Sequence, residues 1–90
     1  MRLEKTLTIV NKLGLHARAA TQLVQLAQQF DAEITLTQGD KSASAASVLG
    51  LMMLESHQGK EVTVISEGND AEKALIAIEE LITAKFNEEE

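Results

Sequence analysis

The sequence predicts an α+β fold in which one face of an open antiparallel sheet carries all the helices. Two patterns predict it: segments in which apolar and polar residues alternate, and segments with apolar residues at helical spacing. They follow one another in the order β-α-β-β-α-β-α. Because strands with one polar face leave that face to water, the helices are expected on the other face. The pattern alone does not separate this open-faced sandwich from a ferredoxin-like arrangement.

Four segments are predicted to be strands, of which the third is short and has a weak pattern. They cover residues 2–10, 32–37, 41–44 and 61–67. In the first strand Lys5 interrupts the apolar side, so we expect this strand near the margin of the sheet. Residues 38–40 form a turn, and the strands on either side of it pair as a hairpin. In the last strand Val62 and Val64 face inward.

Three segments show the spacing of amphipathic helices. The first runs from about Ala17 to Gln29, the second from about Ser47 to Leu54, and the third through the apolar positions from Ala71 to Ile82. Ser47 is well placed to cap the second helix. Asn69 and Glu72 resemble a capping box for the third, which has the strongest amphipathic pattern and is predicted to be a core helix.

Composition narrows the classes of function. Ninety residues predict a single domain, 1–90, with a small core. The chain contains no Cys, which excludes a disulfide and fits a cytoplasmic protein. We expect neither export nor a membrane partner, because no stretch approaches the roughly 18 apolar residues of a membrane span. A net charge of −6 and only two aromatic residues argue against a nucleic-acid partner, so proteins with basic surfaces are expected instead.

The stretch from Leu13 to Ala20 joins the first strand to the first helix and carries the candidate chemistry. Gly14 supplies a permissive backbone, and His16 falls at or beside the first helical position. The backbone N–H groups of Ala17 and Arg18, the helix dipole and the Arg18 guanidinium all suit a phosphate. An imidazole nucleophile at such a cradle indicates a phosphoryl acceptor. On spacing alone, however, a histidine before a helix is more often a cap or a surface residue.

Two stretches resemble the signatures of the HPr phosphocarriers of the bacterial phosphoenolpyruvate phosphotransferase system. They are Leu13-Gly14-Leu15-His16-Ala17-Arg18, followed by two small residues, and Ser47-Val48-Leu49-Gly50-Leu51-Met52. Their spacing, the chain length and the element order fit this family over essentially the whole chain. The resemblance implies an HPr-like open-faced β-sandwich, with four antiparallel strands in the order 1-4-2-3 covered on one face by three helices.

Ala19 departs from the sugar-branch HPr proteins, which usually have Pro after the Arg. With the Met-rich run at 52–54 and the acidic end at 85–90, it makes the chain resemble the nitrogen-branch paralogue, NPr, more than the carbohydrate carrier. Replacing Pro removes a φ constraint, so the turn is expected to be less pre-organised without losing its chemistry. Ala17, Ala19 and Ala20 are interpreted as small residues that let a partner's active site approach, with simple helix propensity as the alternative.

The resemblance implies a stoichiometric phosphocarrier rather than a turnover enzyme. His16 would accept the phosphoryl group on Nδ1 from a nitrogen-type enzyme I charged by phosphoenolpyruvate, and would pass it to a IIA-type protein. Arg18 would help to hold the phosphoryl oxygens. A regulatory role in nitrogen and potassium metabolism is also implied.

Two alternatives to this function stay open. The first is a carbohydrate-branch HPr of the sugar-uptake phosphotransferase system. The second is a binding regulator on the same fold whose His16 is vestigial. Retention of both His16 and Arg18 favours a carrier over a regulator, because a pure binding module has no need of that pair.

Gln22, Leu49 and Met53 are the predicted partner-docking residues. Gln22 lies on the polar face of the first helix. A short surface helix buries only one stripe of side chains. Leu49 and Met53 could therefore each lie in the core or on a docking surface, whereas Met52 is assigned to the core. No spare apolar face indicates self-association, so we expect a monomer.

Ser47, His57 and the acidic end have simpler interpretations. Ser47 aligns with a serine that is phosphorylated in some HPr proteins, but Ala46 replaces the common Lys before it, so we interpret Ser47 as a helix cap. Two histidines without Cys or matching carboxylates are a poor ligand set, so His57 is interpreted as a loop residue and neither a metal nor a cofactor is expected. The run 88–90 is predicted to be a solvated, frayed tail.

Overall fold

A computed structural model describes residues 1–88 of the chain. The elements are β1 (Arg2–Thr8), α1 (Ala17–Ala27), β2 (Glu33–Gln38), β3 (Lys41–Ser44), α2 (Val48–Met52), β4 (Glu61–Glu67) and α3 (Ala71–Thr83), followed by a short C-terminal turn (Lys85–Asn87). The predicted element order and the α+β class are confirmed. In the part of the chain that the structure describes, no helix has the length and apolar character needed to span a membrane.

The four strands form one antiparallel sheet in the order β1-β4-β2-β3, which confirms the order that the family resemblance implies. β4 is central and pairs with both β1 and β2, while β2 and β3 form the predicted hairpin. β1 is therefore an edge strand, as the position of Lys5 predicts. The Lys5 ammonium is half exposed and lies 2.7 Å from the Glu79 carboxylate of α3.

The core lies between the sheet and the helices. Its fully or nearly fully buried aliphatic side chains include Leu23, Ile34, Leu36, Leu51, Val62, Val64, Ile78 and Ile82. They come from alternate positions of the strands and from one stripe of each helix, because those positions share a face. Each such side chain contributes about 1.5–3 kcal/mol through removal of its surface from water. The predicted inward residues of β4 and the core position of α3 are confirmed.

Three elements are shorter than the apolar pattern predicts. β1 stops at Thr8, α1 ends at Ala27 rather than Gln29, and α2 spans only Val48–Met52. At the end of α1 the backbone N–H groups of Gln29 and Phe30 switch to acceptors three residues back, which tightens the last turn. The Ser47 hydroxyl accepts a hydrogen bond from the Gly50 N–H at 2.9 Å, so the predicted cap of α2 is confirmed.

The predicted capping box at the start of α3 is wrong. The N-cap is Asp70, and no side chain caps the helix. Asp70 instead accepts a hydrogen bond from the Asp31 N–H, and the Asn69 amide donates to the Asp31 carboxylate, both at 2.8 Å. These polar side chains therefore tie α3 to the connection between α1 and β2, a long-range use that a local motif does not reveal.

Candidate active site

His16 is the N-cap of α1, which confirms its predicted place at the start of the helix. Its backbone is extended, with φ −74° and ψ 178°, and its side chain makes no capping hydrogen bond. The first intrahelical bond runs from the Ala20 N–H to the His16 carbonyl at 2.9 Å. The N–H groups of Ala17, Arg18 and Ala19 precede that bond and have no acceptor within the helix. A one-quarter exposed imidazole thus lies beside backbone donors at the positive end of the helix dipole.

The turn before His16 depends on Gly14. Its φ is +65°, a left-handed conformation that other L-residues adopt at a cost. A Cβ at this position would lie 2.4 Å from the Ser56 carbonyl oxygen, which also accepts a hydrogen bond from the Leu15 N–H at 3.0 Å. The predicted permissive backbone is therefore needed for two reasons: the φ angle and the close approach of the loop that contains Ser56.

Arg18 lies exposed in the first turn of α1. It forms no ion pair with a carboxylate in residues 1–88. Its guanidinium is two residues from the imidazole in sequence and belongs to the same helix terminus. An anion brought to His16 from outside would meet this cation without displacing a carboxylate of the described chain.

Glu88 is a residue of this site that the sequence did not predict. Its side chain is only 6% exposed; one carboxylate oxygen hydrogen-bonds His16 Nε2, and the other accepts from Asn11 Nδ2 at 2.8 Å. The predicted solvated tail is wrong for Glu88, while Glu89 and Glu90 lie outside the described residues. The sequence signal that could have predicted this contact is Phe86, a large apolar side chain in an otherwise polar segment. Phe86 is completely buried and so holds the residues next to it against the fold.

The Glu88 carboxyl is held in its charged form. Burial opposes ionisation, but hydrogen bonds from Asn11 and His16 favour the carboxylate, and electrostatic interactions with His16 and Arg18 act in the same direction. Together these interactions lower the pKa of Glu88 below its ordinary value of 4.5. His16 therefore faces an anion at neutral pH.

A shallow pocket of about 240 Å³ opens beside the imidazole. It is lined by Leu13, Leu15, His16, Met52, Glu55, Ser56 and His57. The assignment of Met52 to the core is wrong: its side chain is 39% exposed on the pocket wall, because α2 buries only Leu51. The pocket thus combines the histidine with apolar groups from the preceding turn and from α2.

Leu49 and Met53 project from α2 to the surface, with exposed fractions of 68% and 66%. The choice between core and surface is thereby resolved for both residues, although their role in docking stays a prediction. Gln22 is half buried on α1. Large apolar side chains on a surface are typical of protein-binding sites when they form a patch.

The alanines after His16 differ in their environments. Ala17 is exposed, whereas Ala19 and Ala20 are completely buried in the hydrophobic core. The interpretation that all three let a partner approach is therefore wrong for Ala19 and Ala20. Their small side chains allow the first turn of α1 to pack closely on the core, and this close packing fixes the helix terminus that carries His16.

His57 is an exposed loop residue, as predicted, and it borders the same pocket as His16. Across residues 1–88 there is no group of three or more histidines and carboxylates that could hold a metal ion. The two imidazoles therefore lack the further ligand that a zinc site needs among the described residues.

A larger cavity of about 540 Å³ does not include His16. It lies between the end of α1, β2 and the end of β3, and its charged lining residues are Asp31, Glu33 and Glu67. Its lining contains neither a histidine nor a cation. Of these two cavities, only the pocket at His16 is lined by a histidine.

Comparisons with known proteins relate this site to one family. A family model described as the PTS HPr component phosphorylation site matches residues 3–84. The chain is 62% identical over 87 residues to phosphocarrier protein NPr of Shewanella violacea, and the match covers 97% of this chain and 96% of that protein. It is 41% identical over 87 residues to phosphocarrier protein HPr of Xylella fastidiosa, covering 97% and 98% of the two chains.

A solved structure of an HPr protein has the same fold. The structure is similar to crystalline HPr from Thermoanaerobacter tengcongensis with a TM-score of 0.92 and 42% sequence identity. The superposition covers 98% of this chain and 99% of that chain.

Proposed function

The chain belongs to the HPr family of phosphotransferase-system phosphocarriers, and we propose that His16 is the residue on which it carries the phosphoryl group. The observation that supports this assignment is the position of His16 at the N-cap of α1, partly exposed and beside N–H groups that have no acceptor within the helix. Those donors and the helix dipole favour a phosphoryl dianion attached to the ring. We also propose that residues 1–90 form one domain.

The transfer is a nucleophilic substitution at phosphorus. The lone pair of His16 Nδ1 forms the new N–P bond, and the bond between phosphorus and the donor breaks with its electron pair returning to the donor. The Arg18 guanidinium and the N–H groups of Ala17 and Arg18 hold the phosphoryl oxygens. The reverse sequence on an acceptor nucleophile releases the group, so the protein is a stoichiometric intermediate.

The donor is enzyme I and the acceptor is a IIA-type protein, the partners that HPr and NPr proteins use. We assign both to the nitrogen branch, with a regulatory role in nitrogen and potassium metabolism. The 62% identity to an NPr over nearly the whole chain, against 41% to an HPr, supports this branch. The presence of Ala19 where sugar-branch proteins usually have Pro agrees with it.

The partners dock on the surface around the pocket at His16. Leu49 and Met53 provide exposed apolar area, and Gln22 provides a polar contact from α1. The net charge of −6 favours partners with basic surfaces. The carrier acts in the cytoplasm as a monomer.

Phosphoryl acceptance from two donors tests the function and the branch. The purified protein is incubated with phosphoenolpyruvate and either a nitrogen-type or a sugar-type enzyme I, and the gain of one phosphoryl group is followed by intact mass against time. We expect faster charging by the nitrogen-type donor. Faster charging by the sugar-type donor would move the protein to the carbohydrate branch, and no charging by either would leave a binding regulator.

A further inference from the structure

The end of the chain returns to His16 through an unusual backbone conformation. Lys85, Phe86 and Asn87 have φ angles of 58°, 54° and 61°, all in the left-handed region. A left-handed conformation is unfavourable for an ordinary L-residue, so three in succession need compensation. Complete burial of the Phe86 side chain provides it. Strain of this kind persists only where the surrounding structure imposes it, and it concentrates at functional sites.

This turn places the Glu88 carboxylate beside His16, where the Glu88 side chain is only 6% exposed. The carboxylate contacts Asn11 and His16, and Asn11 is completely buried. The Asn11 amide also donates to the Gly14 carbonyl at 2.8 Å, so it joins Glu88 to the turn that carries His16. Asn11 Oδ1 has no partner within the described chain, because the amide is oriented with both N–H groups toward its two acceptors.

The contact with Glu88 decides which nitrogen of neutral His16 carries the proton. A carboxylate only accepts hydrogen bonds, so the His16 Nε2 that faces it must be the N–H donor. In a neutral imidazole the other nitrogen, Nδ1, then carries the lone pair. Among residues 1–88, no hydrogen bond to Nδ1 competes for that lone pair.

We propose that Glu88 is a positioning residue, which holds neutral His16 in the Nε2–H tautomer and so presents the Nδ1 lone pair to the phosphoryl donor. Its consequence for transfer rests on the proposed carrier function, whereas the tautomer itself does not. When Nδ1 forms the N–P bond and the donor leaves with its electron pair, the Nε2 proton stays in place. The ring then becomes cationic, and the Glu88 carboxylate stabilises that charge while keeping the ring oriented.

The tautomer is measured on the unphosphorylated protein without any donor. The chain has two histidines, so a His57→Ala background leaves His16 as the single source of imidazole signals. Nitrogen–proton correlation spectra of ¹⁵N-labelled protein, recorded where His16 is neutral, show which nitrogen is protonated. The variants are Glu88→Gln and Glu88→Ala, and the exposed Glu80 of α3 supplies the matched control Glu80→Gln, which removes the same charge.

We expect the background protein and Glu80→Gln to show the Nε2–H tautomer alone, and both Glu88 variants to show a mixture that includes Nδ1–H. The rate of phosphoryl acceptance should fall about 10-fold in the Glu88 variants, by analogy with the loss of a side chain that orients a metal-bound histidine. Circular dichroism checks that the variants are folded. An unchanged tautomer in Glu88→Ala, or a background protein with Nδ1–H, would overturn the proposal.

The two readouts separate this inference from the carrier function. A background protein that shows the Glu88-dependent tautomer but accepts no phosphoryl group would remove the proposed function and leave the assignment of the proton intact. A shifted tautomer with an unchanged rate of phosphoryl acceptance would overturn the role of Glu88 in transfer.

Discussion

At the scale of single residues, His16 lies near groups of opposite charge. Its Nε2 faces the Glu88 carboxylate, while the backbone donors of the α1 terminus and the Arg18 cation belong to the same end of the helix. An imidazole needs an unprotonated nitrogen to attack phosphorus, and the incoming group brings negative charge. The proposed phosphoryl transfer therefore requires an acceptor for one ring nitrogen and donors for the phosphoryl oxygens.

Arg18 provides a test of the donor side of the site. We expect Arg18→Ala to slow phosphoryl acceptance about 10-fold or more without ending it, because a charge-assisted donor to the phosphoryl oxygens is lost. Intact mass against time with the same enzyme I measures the rate. Arg2→Ala is the matched control, since Arg2 is the other arginine of the chain and lies exposed on the edge strand β1. Equal rates in the two variants would remove Arg18 from the mechanism.

At the scale of elements, the turn before α1 and the loop before β4 fix the position of the helix terminus. The Leu15 N–H donates to the Ser56 carbonyl, and the Ser56 hydroxyl donates to the Gln38 side chain at 2.5 Å. The turn that carries His16 is thereby connected to β2 through the loop that contains Ser56. Gly14 lets the two backbones approach, since a side chain there would enter the space of the loop.

Substitutions at Gly14 and Gly39 distinguish the cost of an unfavourable φ angle from the cost of steric overlap. Gly14 and Gly39 have similar φ angles, +65° and +61°, but a Cβ at Gly39 would meet no atom within 4 Å. We expect Gly39→Ala to lower the free energy of unfolding by about 1 kcal/mol through the φ angle alone. Gly14→Ala should lower it further, by about 2–4 kcal/mol in total, because the Ser56 carbonyl must move. Urea denaturation measures both variants, and equal losses would contradict the close approach.

At the scale of the whole molecule, local sequence patterns predict the helices and strands. The features that these patterns do not predict depend on contacts between residues distant in sequence. Alternation and helical spacing are properties of short segments, so the element order and the inward faces of β4 and α3 follow from the sequence. The strand order depends on distant pairing and followed from the family resemblance alone. The capping box failed because Asp70 and Asn69 bind Asp31 across the fold.

The candidate site also contains some residues that local motifs predict and others that only the folded structure reveals. His16 and the cap at Ser47 lie in local motifs, so their positions could be predicted. Glu88 reaches His16 from 72 residues away, and an acidic chain end by itself indicates a solvated tail. Phe86 is the sequence signal against such a tail, but its burial and the contacts of Glu88 are properties of the folded chain. The sequence pattern does not place Met52 correctly, because a helix of five residues presents too narrow a stripe to decide which side is buried.

The ionised Glu88 makes stability depend on pH. Its pKa in the folded protein lies below the value of 4.5 that it has when unfolded, so the unfolded chain binds the proton more readily. The contribution of Glu88 is therefore fully present above about pH 4.5 and is lost as the pH falls through the lowered, folded-state pKa. We expect the difference in unfolding free energy between wild type and Glu88→Gln to be larger near neutral pH than in acid.

Urea denaturation over a pH series measures this difference. Glu80→Gln, measured in the same series, corrects for the general effect of removing one negative charge from an acidic protein. A difference between wild type and Glu88→Gln that grows as the pH falls below 4.5 would contradict the charged state of Glu88.

The central claim is that His16 carries the phosphoryl group, and the intact mass of two histidine variants tests it most directly. Wild type, His16→Ala and His57→Ala are incubated with phosphoenolpyruvate and enzyme I, and each is weighed before and after treatment with acid. His57 is the matched control, because it borders the same pocket and is the other histidine of the chain. We expect one acid-labile phosphoryl group on wild type and His57→Ala and none on His16→Ala. A phosphoryl group on His16→Ala would contradict the account.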